Sequence, residues 1–389
     1  MLAGNVIEHA ISLPTGKLLV SACETDFTLD ELAGFAARNN PRRGFLFVSK
    51  VLGKHIPVRP SAMRHVQDYL ASRLLQENIQ RPVFIGMAET ATGLGHGIYE
   101  SFIEQRSAEN TLYIHSTRYY LSCQRIIEFQ ETHSHATDIY LYLPADRQLK
   151  TSFLSAKTLI LIDDEISTGS TFIDLIRAYR VFNPKLEQVF IVSILNFTDP
   201  LRQREIAQQA GLPMRLVYAL EGCFSFTPDP AYEFNAIVNV TGNDKCKQAL
   251  VPSCFGRLGL CGKLSLDLAA LDPFIARWPP GARLLVLGTG EFMHPVFRIG
   301  DHLEQRGFDT FVQSTTRSPI LLGGAIQSVI AFRDNYADGI PNFLYNVNKG
   351  DYDQILVGYE TVPCEDLHAL VHELNAIRID LHDGKIFVS

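Results

Sequence analysis

The chain has 389 residues, 46% hydrophobic and 20% charged, an ordinary balance for a globular protein and enough length for two domains. Its formal net charge of −7 argues against a general nucleic-acid binder, and no apolar run approaches the roughly 20 residues needed to span a bilayer. The start, MLAGNVIEHAISLPTGK, has neither a basic stretch nor a sustained apolar core, and the seven cysteines form no CxxC pair, so a cytoplasmic protein with free thiols is expected.

Through about residue 225, short apolar runs alternate with helical periodicity. Strands are predicted over 44–50, 82–86, 111–115, 138–142, 158–162 and 188–194, and helices over 28–37, 62–76, 171–182 and 200–210. This alternation predicts an α/β fold, a mostly parallel sheet with helices on both faces, and ligand sites at the carboxyl ends of its strands. Between 226 and 262, Pro228, Pro230, Gly242 and Pro252 break the periodicity, and the segment reads as a linker. Alternation resumes after the WPPG at 278–281. Strands are predicted at 283–287, 310–314 and 354–358, a helix at 295–306 and a partly helical stretch at 320–332. The expected organisation is a domain at 1–225, a linker at 226–262 and a smaller α/β domain at 263–389.

The most informative stretch is TLILIDDEISTGST, residues 158–171. A run suited to a strand buried on both faces ends in the carboxylates Asp163 and Asp164. Ser167, Thr168, Gly169, Ser170 and Thr171 follow, and then a helical pattern. A hydroxyl-rich turn at a helix N-terminus offers converging N–H groups, extra donors and a favourable dipole to a phosphate. Carboxylates at the strand end can hold sugar hydroxyls, so the pair and the turn together describe a pocket for a ribose 5-phosphate. The plainer alternative is a solvated Asp pair beside a capped helix.

Other segments carry related chemistry. After the predicted strand at 82–86, Glu89, Thr90, Ala91, Thr92, Gly93, Leu94 and Gly95 form a second small-residue loop, without a basic residue. His115, Arg118, Arg125, His133 and His135 surround or fill a polar segment at about 122–137. An H-x-H pair beside Glu128 and Glu131 also suits a metal, yet no dedicated protein metal site is assigned. Arg42, Arg43, Lys50, Lys54, His55 and Arg59 cluster near the N-terminus, either at a ligand or as a solvated basic face. In the second part, LLVLGTGEFMHPVFRIG reads as strand, Gly-x-Gly turn and helix, a Rossmann-like unit without a third glycine. Gly288, Gly290 and Glu291 there, with Thr316, Arg317 and Ser318 further on, either form a second ligand site or dock the two domains.

The 158–171 motif resembles the phosphoribosyl-pyrophosphate motif of the type I phosphoribosyltransferases. With AETATGLG, ETHSHAT and the string Thr316-Arg317-Ser318-Pro319, the chain resembles an orotate-phosphoribosyltransferase-like domain followed by a TRSP domain. That group is associated with bacterial tellurite-resistance and stress-response clusters. The resemblance implies a pentosyltransferase using 5-phosphoribosyl 1-pyrophosphate and substrate-bridging Mg2+ to form a nucleotide-like product, with an unidentified nitrogenous acceptor. It implies that Ser167 to Thr171 hold the 5-phosphate, Asp163 and Asp164 the ribose diol, and Glu89 to Gly93 the pyrophosphate. Arg118, His133 and His135 would act from a closing loop, while Lys50, Lys54 and His55 would supply cations to the donor. A donor-binding sensor without turnover and a nucleotide-processing hydrolase stay open as alternatives. No nucleic-acid or membrane partner is expected, and a homodimer is compatible with the chain.

Overall fold

The computed structural model describes residues 5–41, 43–121, 126–130, 138–234, 246–247, 249–251 and 255–389. Strands β1 (Asn5–Leu13) and β2 (Gly16–Glu24) form an antiparallel hairpin. Next comes α1 (Leu29–Leu32), started by a reciprocal capping box between Thr28 and Glu31. The predicted helix at 28–37 stops there, because Ala33–Ala37 is instead β3, paired antiparallel with β4 (Phe45–Ser49). The cap signal is real, but pairing with β4 overrides the helical propensity behind it.

The chain then alternates. Helix α2 (Pro60–Leu75) precedes β5 (Pro82–Gly86), α3 (Thr92–Gln105) and β6 (Leu112–His115). Strands β7 (Ile126–Gln130) and β8 (Asp138–Tyr142) pair with each other, and α4 (Arg147–Leu154) follows. Strand β9 (Thr158–Ile166), α5 (Ser170–Phe182), β10 (Gln188–Asn196), α6 (Pro200–Ala210) and β11 (Met214–Pro228) complete the first unit. Its seven-stranded sheet has the order β1-β2-β11-β10-β9-β5-β6, parallel from β11 to β6. Crossovers run outward to β6 and, in the opposite direction, to β10 and β11, and the right-handedness general to parallel connections then puts helices on both faces. Leu159, Ile160, Leu161 and Ile162 of the central strand are fully buried.

A second α/β unit has its own sheet. After the short α7 (Asp272–Ile275) come β12 (Arg283–Gly288), α8 (His294–Gln305) and β13 (Asp309–Ser314). The hairpin β14 (Val329–Arg333) with β15 (Pro341–Tyr345) is followed by β16 (Gln354–Tyr359), α9 (Glu365–Leu374), β17 (Ile377–His382) and β18 (Lys385–Val388). The order is β13-β12-β16-β17-β18, with only the last pair antiparallel. The predicted helicity at 320–332 is absent: Gly323 and Gly324 take φ of 120° and 59°, and β14 occupies the end of the stretch. The expected linker also makes ordered contacts, since Leu260 pairs with Tyr113 at the β6 edge of the first sheet.

The two units meet closely. Val58 bridges to Val312 in antiparallel register, and Arg38 bridges to Ile320. Arg64 of α2 forms an ion pair with Asp301 of α8 at 2.7 Å. Gly93 of α3 packs so near Met293 that an added Cβ would stand 2.9 Å from the methionine Cβ. No described helix is long and apolar enough to cross a membrane.

Candidate functional site

In the first sheet, β5 leads outward to β6, and the chain returns to the opposite side of β5 as β9. That reversal is a topological switch point, and the crevice outside the carboxyl ends of β5 and β9 is where an open α/β sheet binds ligands. A cleft lies there, lined from the first unit by Arg38, Arg43, Leu46, His55, Met87, Ala88, Glu89, Thr90, Arg118, Ile139, Asp163, Asp164 and Thr171. Thr316, Arg317 and Ser318 of the second unit line it too.

Strand β9 continues through the acidic pair instead of ending before it, because β10 pairs with it as far as Asn196↔Ile166. The ladder therefore holds the backbone at Asp163, paired with Ser193, and just beyond Asp164, where Glu165 pairs with Leu195. Thr90 Oγ1 donates to Asp164 Oδ1 at 3.0 Å and ties the loop after β5 to the strand end. Beyond it, Gly169 adopts φ 69° as the N-cap of α5, and a Cβ there would meet Ile206 Cδ1 at 2.5 Å. Thr168 Oγ1 and Ser170 Oγ share a hydrogen bond of 3.0 Å in an exposed turn. Arg202 Nε donates to the Thr168 carbonyl at 2.7 Å and braces that turn from α6.

Beneath the cleft, charged groups from both units interlock. Lys54 is fully buried and forms an ion pair with Glu89 at 2.6 Å. It also donates to the carbonyls of Gly290 and Thr315, each at 2.7 Å. Arg317 Nε stands 3.4 Å from Glu89 Oε2, with the guanidinium 5.3 Å above the Tyr119 ring. Burial alone would raise the Glu89 carboxyl, but the charges of Lys54 and Arg317 overcome it and hold it down at about 2. His55 is pushed down to about 3 by burial, with the Lys54 charge adding to the effect. It is therefore a neutral imidazole at physiological pH, and its Nε2 has no hydrogen-bond partner among the described residues.

A second buried cluster holds the units together behind the cleft. Arg257 forks onto Glu360 at 2.6 and 2.7 Å and also pairs with Glu291 at 3.1 Å. Glu291 accepts from Thr117 Oγ1 at 2.6 Å and from the Arg118 N–H at 2.7 Å. Tyr119 and Tyr336 stack with centroids 3.9 Å apart, and Tyr336 donates to Glu360.

The sequence-derived candidates thus separate into groups. Asp163, Asp164, Glu89, Thr90, Thr171, Arg118, His55, Thr316, Arg317 and Ser318 converge on one cleft. Ser167, Thr168, Gly169 and Ser170 form the turn that leads into α5. Ala91, Thr92 and Gly93 are buried at the start of α3, where Thr92 Oγ1 donates to the Glu291 carbonyl at 3.0 Å. Gly290 and Glu291 lie where the units dock, Gly288 packs within the second unit against Phe292 and Val296, and Lys54 is beneath the cleft. Lys50 is not brought there, since its ammonium pairs with Asp30 on the exposed side. His133 and His135 lie outside the described residues. Sequence reasoning missed Arg38, hidden behind a stretch read as helix, and Arg257 and Glu360, which stand in no periodic or spaced motif.

A family model described as "Phosphoribosyl transferase" matches residues 32–223, and one described as "TRSP domain C terminus to PRTase_2" matches residues 256–374. The chain belongs to this phosphoribosyl transferase family with a C-terminal TRSP domain. Among solved structures, it is similar to adenine phosphoribosyl transferase from Trypanosoma brucei, determined with AMP, pyrophosphate and ribose-5-phosphate. That match has 14% identity over 59% of this chain and 95% of the other, at a TM-score of 0.34. The adenine enzyme from Giardia lamblia matches at 14% identity over 49% and 94%, TM-score 0.32. Orotate phosphoribosyltransferase from Francisella tularensis matches at 14% over 49% and 79%, TM-score 0.29. No curated protein matches the chain in sequence.

Proposed function

We propose that this family member transfers a phosphoribosyl group from 5-phosphoribosyl 1-pyrophosphate to a nitrogen nucleophile and releases pyrophosphate. The observation that carries the reading is the Thr90–Asp164 hydrogen bond at 3.0 Å. It joins the loop after β5 to the acidic strand end, in one cleft whose cationic groups come from both domains. Phosphate at the Ser167–Thr171 turn and pyrophosphate toward Arg118 and Arg317 leave the ribose over Asp163 and Asp164. The apolar wall of Leu46, Met87 and Ile139 suits a planar acceptor.

Rupture of the C1–oxygen bond builds positive charge on the ribose and negative charge on the departing pyrophosphate. Asp163 and Asp164 would hold the ribose hydroxyls and favour the cationic ring, while Arg118 and Arg317 would stabilise the leaving group. Both acids fit a magnesium ion arriving with the donor, because Glu89 is already neutralised by Lys54 and Arg317. The ion would supply charge neutralisation on the phosphate oxygens. Neutral His55, with an unpartnered Nε2 among the described residues, can hydrogen-bond the acceptor, but held at about 3 it is too weak a base to take the acceptor's proton.

The test is pyrophosphate release from the donor and Mg2+ with a panel of nitrogenous bases. Release that depends on one base class is expected. Donor binding without release for any base would overturn the transferase reading in favour of a donor-sensing protein.

A further inference from the structure

A separate cluster lies between α3 and α8, away from the cleft. His96 and Glu100, one helical turn apart on α3, face His294 at the start of α8. All three are buried, and the two imidazole rings stack with centroids 3.7 Å apart and planes 18° from parallel. His294 Nε2 stands 3.2 Å from Glu100 Oε1, and His96 Nε2 stands 3.7 Å from the same oxygen. Neither nitrogen is aligned for a hydrogen bond, and His294 Nδ1 also lacks a partner among the described residues. Buried ring nitrogens without well-aligned partners are costly, since each loses the water it would otherwise bind.

We propose that His96, Glu100 and His294 bind a divalent transition metal of the zinc class, which pins the TRSP domain to the phosphoribosyl transferase domain. The candidate ligand atoms all lie within 4.8 Å of one another. A tetrahedron with metal–ligand bonds of about 2.0–2.1 Å has edges of about 3.3 Å, close to the spacing already present. Two imidazoles and a carboxylate suit zinc, and ligation would require the two rings to leave their stack so that both in-plane lone pairs meet at one point. Outer contacts already orient the carboxylate: the Leu264 N–H donates to Oε1 at 2.8 Å, and Arg298 donates to both oxygens at 3.0 and 2.9 Å. A small cavity lined by Thr92, His96, His115 and His294 adjoins the cluster and leaves room for about one water as fourth ligand. Arg298 repels a dication and so weakens the expected affinity.

The site differs from the phosphoribosyl cleft, and its test needs neither donor nor base. The full chain, stripped with a chelator and dialysed, is titrated with Co2+ and then with Zn2+. One Co2+ per chain is expected, with the visible bands of a four-coordinate nitrogen and oxygen site, displaced by one Zn2+. His294→Gln should weaken Co2+ binding by about 100-fold or more, beyond the loss typical of an outer-sphere change. The double variant His133→Gln with His135→Gln should bind as the parent does. On the parent chain itself, zinc-edge X-ray absorption should count two imidazoles, which keeps the test open even where His294→Gln fails to fold. Absence of saturable Co2+ binding, bands that survive His294→Gln, bands lost in the His133/His135 double variant, or a zinc shell without two imidazoles would each overturn the proposal.

Discussion

Arg317 Nε stands 3.4 Å from Glu89 Oε2, so a TRSP-domain guanidinium neutralises the carboxylate that opens the loop after β5. That loop contains no basic residue of its own, and the cations beside it, Lys54 and Arg317, come from the N-terminal segment and the second domain. The first domain therefore lacks part of the charge balance at its own cleft until the second is docked.

Arg317→Ala is expected to weaken donor binding by about 10- to 150-fold, the equivalent of losing a charge-assisted hydrogen bond worth about 1.5–3 kcal/mol. Arg317→Lys should restore only part of this, because the ammonium lacks the planar fork that both stacks on Tyr119 and reaches Glu89. Calorimetric titration with the donor reads the difference. An unchanged dissociation constant in both variants would remove Arg317 from the site.

The double variant Asp163→Asn with Asp164→Asn should abolish turnover while the fold persists. Asparagine is nearly isosteric and keeps an oxygen that can accept from Thr90 Oγ1, so the link between the β5 and β9 ends survives. What disappears is the negative charge facing the ribose. Pyrophosphate release and circular dichroism measured side by side decide it, and activity equal to the parent would move the reacting sugar elsewhere.

The parts of this molecule that the sequence announces are the locally encoded ones. Leu159–Ile162, the acidic pair and the hydroxyl turn follow one another along the chain, and strand period and cap chemistry place them without tertiary information. The Thr28–Glu31 capping box was equally local, yet β4 converted the residues after Leu32 into a strand. Lys50 and Lys54 look alike in sequence, but one pairs with exposed Asp30 and the other is sealed beneath Glu89. Convergence of Arg317 with Glu89, or of Glu291 with Thr117, depends on how two domains dock, and that of Arg257 with Glu291 and Glu360 on the tertiary fold of the second; no spacing along the chain encodes either.

The turn before α5 yields a pair of contrasting outcomes. Ser170→Ala should leave stability nearly unchanged, since its hydroxyl shares only an exposed bond with Thr168, but weaken donor binding by about 0.5–3 kcal/mol if phosphate takes that donor. Gly169→Ala should destabilise the protein by about 1–2 kcal/mol, because φ of 69° is strained for alanine and the new methyl meets Ile206. Denaturant unfolding separates the two, and a Gly169→Ala protein as stable as the parent would mean that the turn relaxes freely.

Stability should fall as the solution is acidified from near neutrality. His55 and His115 are held down to about 3 and about 4 in the fold against 6.5 when free, burial being the first cause in each. Between those values the unfolded chain binds protons that the folded chain refuses, so protonation pulls the equilibrium toward unfolding and stability rises with pH across the window. Glu89, at about 2 in the fold against 4.5, acts in the same direction lower down: its contribution is complete above about 4.5 and fades toward 2. Each group can add up to about 1.4 kcal/mol per pH unit within its own window. Urea unfolding at fixed temperature should therefore give a plateau above about pH 7 and a decline from about pH 6.5 downward. His55→Gln, which removes one of the buried imidazoles that must charge, should make the upper part of that decline shallower. Equal stability at pH 7.5 and 4.5 in the parent would show that these imidazoles take up protons in place, through an opening of the buried layer beneath the cleft.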